Sequence, residues 1–309
     1  MKAMSENDIV VSYPENVIEE FAYGRGILFL GSGVSSSAIN CEGSRLPGWN
    51  KFINESKKLL KSPHTDKIEY IDAMLKHGEM LRALQVIKDY SDSGEYTRKV
   101  KQSFLARGYN PSKIHDILRR INSKITITTN FDNIYENYCR SDGALGYVSA
   151  EYNDVNKIIT NIKSTENLII KAHGSIENPE KLIFTQNEYF KAHRENALFY
   201  EVLHALFTTN TVLFLGYSLQ DPDINLLVNS ELANMSKGTP HYVLIPESEV
   251  DTELKKHWIN NFNISVITYK VTDTKDPYTH FEDAIYELYI NIKNIQDDRR
   301  ISPGAIELV

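Results

Sequence analysis

Cysteine is almost missing from this 309-residue chain: Cys41 and Cys139 are the only two, and no CxxC pair occurs. That excludes a disulfide framework and a cysteine-built zinc site, and it fits a reducing, cytoplasmic setting. No apolar run approaches the roughly 20 residues a bilayer span needs, so no membrane association is expected. Residues 1–10 lack the basic start and the apolar stretch of a signal peptide. No long run of Lys or Arg occurs, and the formal net charge of −7 argues against direct nucleic-acid binding. Internal repeats and low-complexity segments are missing as well. What is present is ordinary: 41% apolar and 24% charged residues describe a soluble globular protein able to bury a sizeable core.

Four apolar runs stand out because each closes on polar punctuation. Gly31-Ser32-Gly33 follows Gly26–Leu30, and Asn130-Phe131-Asp132 follows 125–129. His173-Gly174 follows 168–172, and Gly216-Tyr217-Ser218 follows Thr211–Leu215. Short, continuous apolar runs are the pattern of buried strands in a parallel sheet. Further strands are predicted at 241–245 and Ile264–Tyr269. Helical spacing predicts helices at 16–23, 49–60, 187–207, near 252–258 and at 279–295. Between the first two strands, apolar residues from Ile71 to Leu118 recur at helical intervals, with breaks at 91–94 and 108–111. This predicts a small helical module inserted at about 60–120. Asp221-Pro222-Asp223 reads as a cap and first turn ahead of a helix at 224–235. Strands alternating with helices predict an α/β, doubly wound, Rossmann-like parallel sheet. Residues 1–295 form one domain on this reading, and 296–309 a polar tail.

In such sheets ligands bind past the carboxyl ends of the strands, so the four strand ends predict one shared cleft. Each also has a plainer reading. Gly31-Ser32-Gly33-Val34-Ser35 is either a tight turn or a phosphate cradle built from backbone N–H groups. Ser36 stands where a third glycine would complete GxGxxG, which speaks against an ordinary dinucleotide dehydrogenase. Asn130 and Asp132 both cap helices well, yet one cap does not need an amide and an acid at i and i+2. His173 is either a structural histidine or a general base at the point where the chain leaves the sheet. Gly216 and Ser218 make a capped turn or a second small-residue loop. Asp221 and Asp223 alone make a poor metal site, so no metal is expected.

The four segments, in this order and with a helical insertion after the first, resemble the SIR2 (sirtuin-like) family. The family's GAGxS loop is matched by Gly31-Ser32-Gly33-Val34-Ser35, and its TQNxD stretch by Thr128-Thr129-Asn130-Phe131-Asp132. Its KxHG stretch is matched by Lys171-Ala172-His173-Gly174 and its GTS loop by Gly216-Tyr217-Ser218. The family's GIPxFR segment is echoed only loosely, by Leu46-Pro47-Gly48-Trp49, and the four-cysteine zinc ribbon of deacylating sirtuins has no counterpart. The pattern from Gly216 to Leu226 looks most like the divergent bacterial antiphage branch, exemplified by the SIR2 domain of Thoeris effectors.

That resemblance implies an NAD+ glycohydrolase that acts in abortive infection, with NAD+ as its substrate. It implies catalytic roles for Asn130 and His173, with Asp132 supporting them. Gly31, Ser32, Gly33, Ser35 and Thr129 would hold the dinucleotide, and Gly216 and Ser218 its adenosine side. A non-catalytic NAD or ADP-ribose module is the alternative, and protein deacylation is disfavoured by the missing cysteines. No room for a C-terminal nucleotide sensor is expected after about residue 295. Control is therefore expected from homo-oligomerisation or from a separate protein such as a HerA-type ATPase.

Overall fold

A computed structural model describes residues 11–141, 146–218, 238, 240–272 and 276–298. The cap at 221–223, the helix expected at 224–235 and the tail beyond 298 lie outside these residues.

The strands, in chain order, are β1 (Gly26–Leu30), β2 (Ile39–Asn40), β3 (Tyr109–Asn110), β4 (Ile125–Thr128), β5 (Tyr147–Glu151), β6 (Asn167–Lys171), β7 (Thr211–Leu215), β8 (His241–Pro246) and β9 (Ile264–Tyr269). Seven of them form one parallel sheet in the order β5-β6-β4-β1-β7-β8-β9, while β2 and β3 make a small antiparallel pair. From β1 the chain passes to β4, then to the edge strand β5, and returns to place β6 between them. It then crosses back to β7 on the other side of β1. The polar segments after β1, β4 and β7 are therefore neighbours because their strands are.

Every residue of β1 and β7 is buried, as a centrally placed parallel strand requires. Alternation sends Ile27, Phe29, Val212 and Phe214 to one face and Leu28, Leu30, Leu213 and Leu215 to the other. The first face carries the helices Val155–Ile162, Ala197–Thr209 and Thr252–Phe262. The second carries Glu15–Ala22, Lys113–Ile121 and Pro277–Asp298.

A third apolar cluster belongs to the helices Trp49–Ser56, Lys67–Lys76, Met80–Tyr90 and Ser93–Phe104. It also takes in Phe131, Ile176 and Phe184 from segments after β4 and β6. The inserted helices thus pack directly over the strand ends. Helix Lys113–Ile121 differs from the expected grouping: Ile114, Ile117, Leu118 and Ile121 make one stripe, and that stripe covers the sheet.

Two other local differences have clear causes. The helix expected at 187–207 is two helices, Gln186–Glu195 and Ala197–Thr209, broken at Asn196. Thr185 starts the first with a capping box closed by Glu188. Strand β5 had no counterpart in the sequence reading. It pairs only with β6 at the sheet edge and is mostly half-buried, so its residues lack the apolar run of an interior strand.

Candidate functional site

The loops after β1 and β7 are bound to each other. Gly31 N–H donates to the Leu215 carbonyl (2.9 Å) and Gly33 N–H to the Gly216 carbonyl (2.8 Å). A Cβ at Gly31 would sit 2.7 Å from the Gly216 oxygen, and one at Gly33 2.9 Å from the Gly216 Cα. Gly216 itself has φ +73°, and a Cβ there would lie 2.7 Å from the Val34 nitrogen. These three glycines let two loops touch where any side chain would part them. The amides of Gly31 and Gly33 are consumed in that contact, so they do not face a ligand in this form.

The end of β4 ties into the same place. Asn130 Nδ2 donates to the Gly31 carbonyl (2.8 Å), and its backbone N–H donates to Thr128 Oγ1 (3.1 Å). A carbonyl can only accept, so the amide nitrogen of Asn130 must point at Gly31. Its carbonyl oxygen is then the end offered elsewhere, as an acceptor. Thr129 Oγ1 lies 2.8 Å from Tyr217 Oη, which donates to the Leu30 carbonyl (3.2 Å). Asp132 is buried, and its Oδ1 accepts the Ile134 N–H (3.0 Å) at the start of helix Ile134–Ser141. Asp132 is therefore a helix cap and a cavity residue at once.

Ser32, Ser35, Thr129, Asn130 and Asp132 share one cavity. Its opposite wall is apolar, from Leu46, Pro47, Trp49, Phe104, Phe131 and Phe184. The rings pack against each other, Phe131 on Phe184 at 4.6 Å and Trp49 on Phe184 at 5.1 Å between centroids. The cavity volume is only about 40 Å³, which is the scale of about three waters. Gly31, Gly33, Gly216 and Ser218 do not line it; the glycines stand behind it, and Ser218 is exposed.

His173 is not among the residues that line this cavity. It is 3% exposed, and its carbonyl accepts the Ile183 N–H (3.0 Å). Gly174, at φ +82°, turns the chain so closely that a Cβ would lie 2.9 Å from the Lys181 carbonyl oxygen. Burial lowers the His173 pKa to about 4, so the ring is neutral at pH 7. The loops after β4 and β6 are nonetheless joined, since Ile176 N–H donates to the Phe131 carbonyl (2.8 Å).

Two features escaped the sequence reading. Lys171, the last residue of β6, forms a buried ion pair with Glu136 (2.6 Å), their side chains 3% and 4% exposed. Lys171 Nζ also donates to Asn133 Oδ1 (3.1 Å) and to the Asp132 carbonyl. Burial outweighs the Lys171 charge and raises the Glu136 pKa. A lysine ending an otherwise apolar strand was the available signal, because a buried cation needs a partner. The second feature is His115, completely buried in helix Lys113–Ile121. Among the described residues no group of three or more His, Cys, Asp or Glu could hold a metal ion, and no helix is long and apolar enough to cross a membrane.

His115, His173 and His241 are all buried, with pKa values lowered to about 4, chiefly by desolvation. A depressed histidine pKa means that the unfolded chain binds more protons between about pH 6.5 and 4. Stability is therefore fully present above that window and is lost as the pH falls through it. Each ring should cost about 1–2 kcal/mol by pH 5. The urea midpoint should fall markedly between pH 7.5 and 5.0; an equal midpoint at both would contradict neutral, buried rings.

A doubly wound parallel sheet with helices on both faces and a cavity at its strand ends defines a Rossmann-like α/β protein. Within that class, residues 124–267, from the start of β4 into β9, match the family model of the SIR2-like domain. It is similar to Defense-associated sirtuin 2 of Bacillus subtilis, with 24% identity over 83% of this chain and 24% of that protein. It is similar also to the NAD(+) hydrolase ThsA of Cytobacillus dafuensis, 24% identical over 78% of this chain and 46% of that protein. The ThsA of Bacillus cereus is 22% identical over 80% and 48%. The chain thus spans less than half the length of each of these relatives.

Proposed function

We propose that this chain is an NAD+ glycohydrolase that releases nicotinamide and ADP-ribose, and that it serves as an abortive-infection antiphage effector. The observation that carries the reading is the joining of Asn130, Asp132, Thr129, Ser32 and Ser35 in one cavity at the ends of β1 and β4. The names of the relatives agree with it.

The chemistry asks little of the protein. The bond between the nicotinamide nitrogen and C1 of the ribose breaks, and its electron pair leaves with the nitrogen, neutralising the pyridinium. No acid is needed for a leaving group that is already cationic. Water adds to C1 and gives up a proton. The site has to hold the sugar in line with that water and accept the proton. The carbonyl oxygen of Asn130 is the acceptor that orients the water or a ribose hydroxyl. His173 takes the proton, and Asp132 favours the developing positive charge on the ribose. Ser32 and Ser35 hold the phosphate side, and Gly216 and Ser218 flank the adenosine.

A space of about 40 Å³ does not admit a dinucleotide. In this reading the aromatic wall is a resting closure, and NAD+ enters when Trp49 and Phe184 separate from the strand ends. Opening would also rehydrate His173, raising its pKa toward the ordinary imidazole value and making it a better base. We assign control of that opening to self-assembly, or to a separate regulatory protein such as a HerA-type ATPase.

The test is to incubate the purified chain with NAD+, alone and with its operon neighbours, and follow nicotinamide and ADP-ribose while measuring the assembly mass. Stoichiometric release of both is expected in at least one assembled state. NAD+ binding without turnover in every state would point instead to a sensing module. Turnover only with an acetylated peptide would mean a deacylase.

A further inference from the structure

A chain of hydrogen bonds begins in the short helix Ser32–Ser36 and ends at His115. Ser37 Oγ donates to the Val34 carbonyl (2.6 Å) and lies 2.7 Å from Ser112 Oγ. Ser112 Oγ lies 3.0 Å from His115 Nδ1, and the Ser112 backbone N–H donates to that same nitrogen (3.1 Å). His115 thereby closes a capping box at the start of helix Lys113–Ile121, in the position usually held by Glu or Gln.

This arrangement determines the tautomer. A backbone N–H can only donate, so Nδ1 must accept, and the proton of the neutral ring sits on Nε2. That N–H is buried without a hydrogen-bond partner among the described residues. A buried donor left in this state costs about 1–3 kcal/mol unless something answers it. The negative charge that acts on the ring is Asp132.

We propose that His115 is a positioning residue: its Nε2–H supplies Asp132 with a hydrogen bond through one bound water, and holds the carboxylate toward the cavity. Asp132 then has one oxygen committed to the Ile134 N–H and its orientation secured from behind by the imidazole. The line Ser37–Ser112–His115 makes that orientation depend on the helix that follows the glycine loop. The catalytic part of this inference rests on the NAD+ glycohydrolase reading; the hydrogen bond itself does not.

The experiment has two arms. In protein labelled with ¹⁵N-histidine, the His115 ring should show the Nε2–H tautomer, and Asp132→Asn should shift its Nε2 resonance. Asparagine keeps the helix cap, so the change tests the charge and not the fold. In the second arm, His115→Phe should lower kcat about tenfold to a hundredfold, with KM within about twofold. His115→Gln, which restores a donor near Nε2, should recover part of the loss. The His115→Phe/Asp132→Asn double variant should be no slower than Asp132→Asn alone, since one carboxylate cannot be misplaced twice.

An Nε2 resonance untouched by Asp132→Asn overturns the proposal, and so do losses that multiply in the double variant. If no form of the chain cleaves NAD+, the functional reading fails while the resonance still decides this one. If His115→Phe does not fold, the first arm decides alone.

Discussion

Asn130→Ala should reduce nicotinamide release by about two to four orders of magnitude, with little change in the thermal midpoint. The amide has two jobs that alanine cannot do. Its nitrogen bonds the Gly31 carbonyl and so sets the side chain against the glycine loop. Its oxygen is then the acceptor left to orient the attacking water or the ribose. Loss of the first bond should cost folding only about 1 kcal/mol, because Asn130 is half-buried and water can replace it. His173→Ala should cause a comparable collapse if the imidazole takes the proton. Its folding cost should be the larger of the two, since a buried ring leaves a cavity. The measurement is single-turnover release of nicotinamide, set beside a urea melt for each variant. Normal activity in both would refute the assigned site, whatever the fold.

The second large effect concerns stability. Lys171→Met should destabilise the protein by about 3–5 kcal/mol at neutral pH, because it leaves Glu136 buried without its counter-charge. The sign of the pH dependence is distinctive. Without Lys171, the folded pKa of Glu136 rises further above its unfolded value. An acid with a raised folded pKa stabilises the fold below that value and loses the contribution as the pH rises. The deficit should therefore shrink from pH 8 to pH 6. Lys171→Met combined with Glu136→Leu should recover much of the loss, because a charge-free pair of similar volume needs no solvation. Urea melts of the two variants across that range decide it. A deficit that does not change with pH, or a double variant worse than the single, would show that the pair does not act through its charges. Lys171 Nζ also grips the Asp132 carbonyl and the Asn133 side chain. Activity in Lys171→Met should accordingly fall more than stability alone explains.

Much of the fold was legible beforehand because interior parallel strands write themselves as unbroken apolar runs. Gly26–Leu30 and Thr211–Leu215 are buried at every residue. Neither β5 nor the helices Ile134–Ser141 and Val155–Ile162 announced themselves. An edge strand and short helices carry mixed residues whose pattern is set by the neighbours they meet. Among the site residues, Asn130 and Asp132 were legible from their place at a strand end. His115 was not, since its signal is a histidine three residues after a serine cap, which has no meaning until Asp132 lies beyond it.

Local chemistry along the chain was enough to determine the parallel sheet, the order of its polar strand ends and the residue types that meet there. Only the folded arrangement decided what those residues do with each other. It joined Asn130, Asp132 and Ser35, gave the glycine amides to a loop contact, and set His173 beneath segment 181–183. The reason is physical: a strand run depends on burial of its own residues, whereas a hydrogen bond or a closed wall depends on which distant segment arrives at that spot.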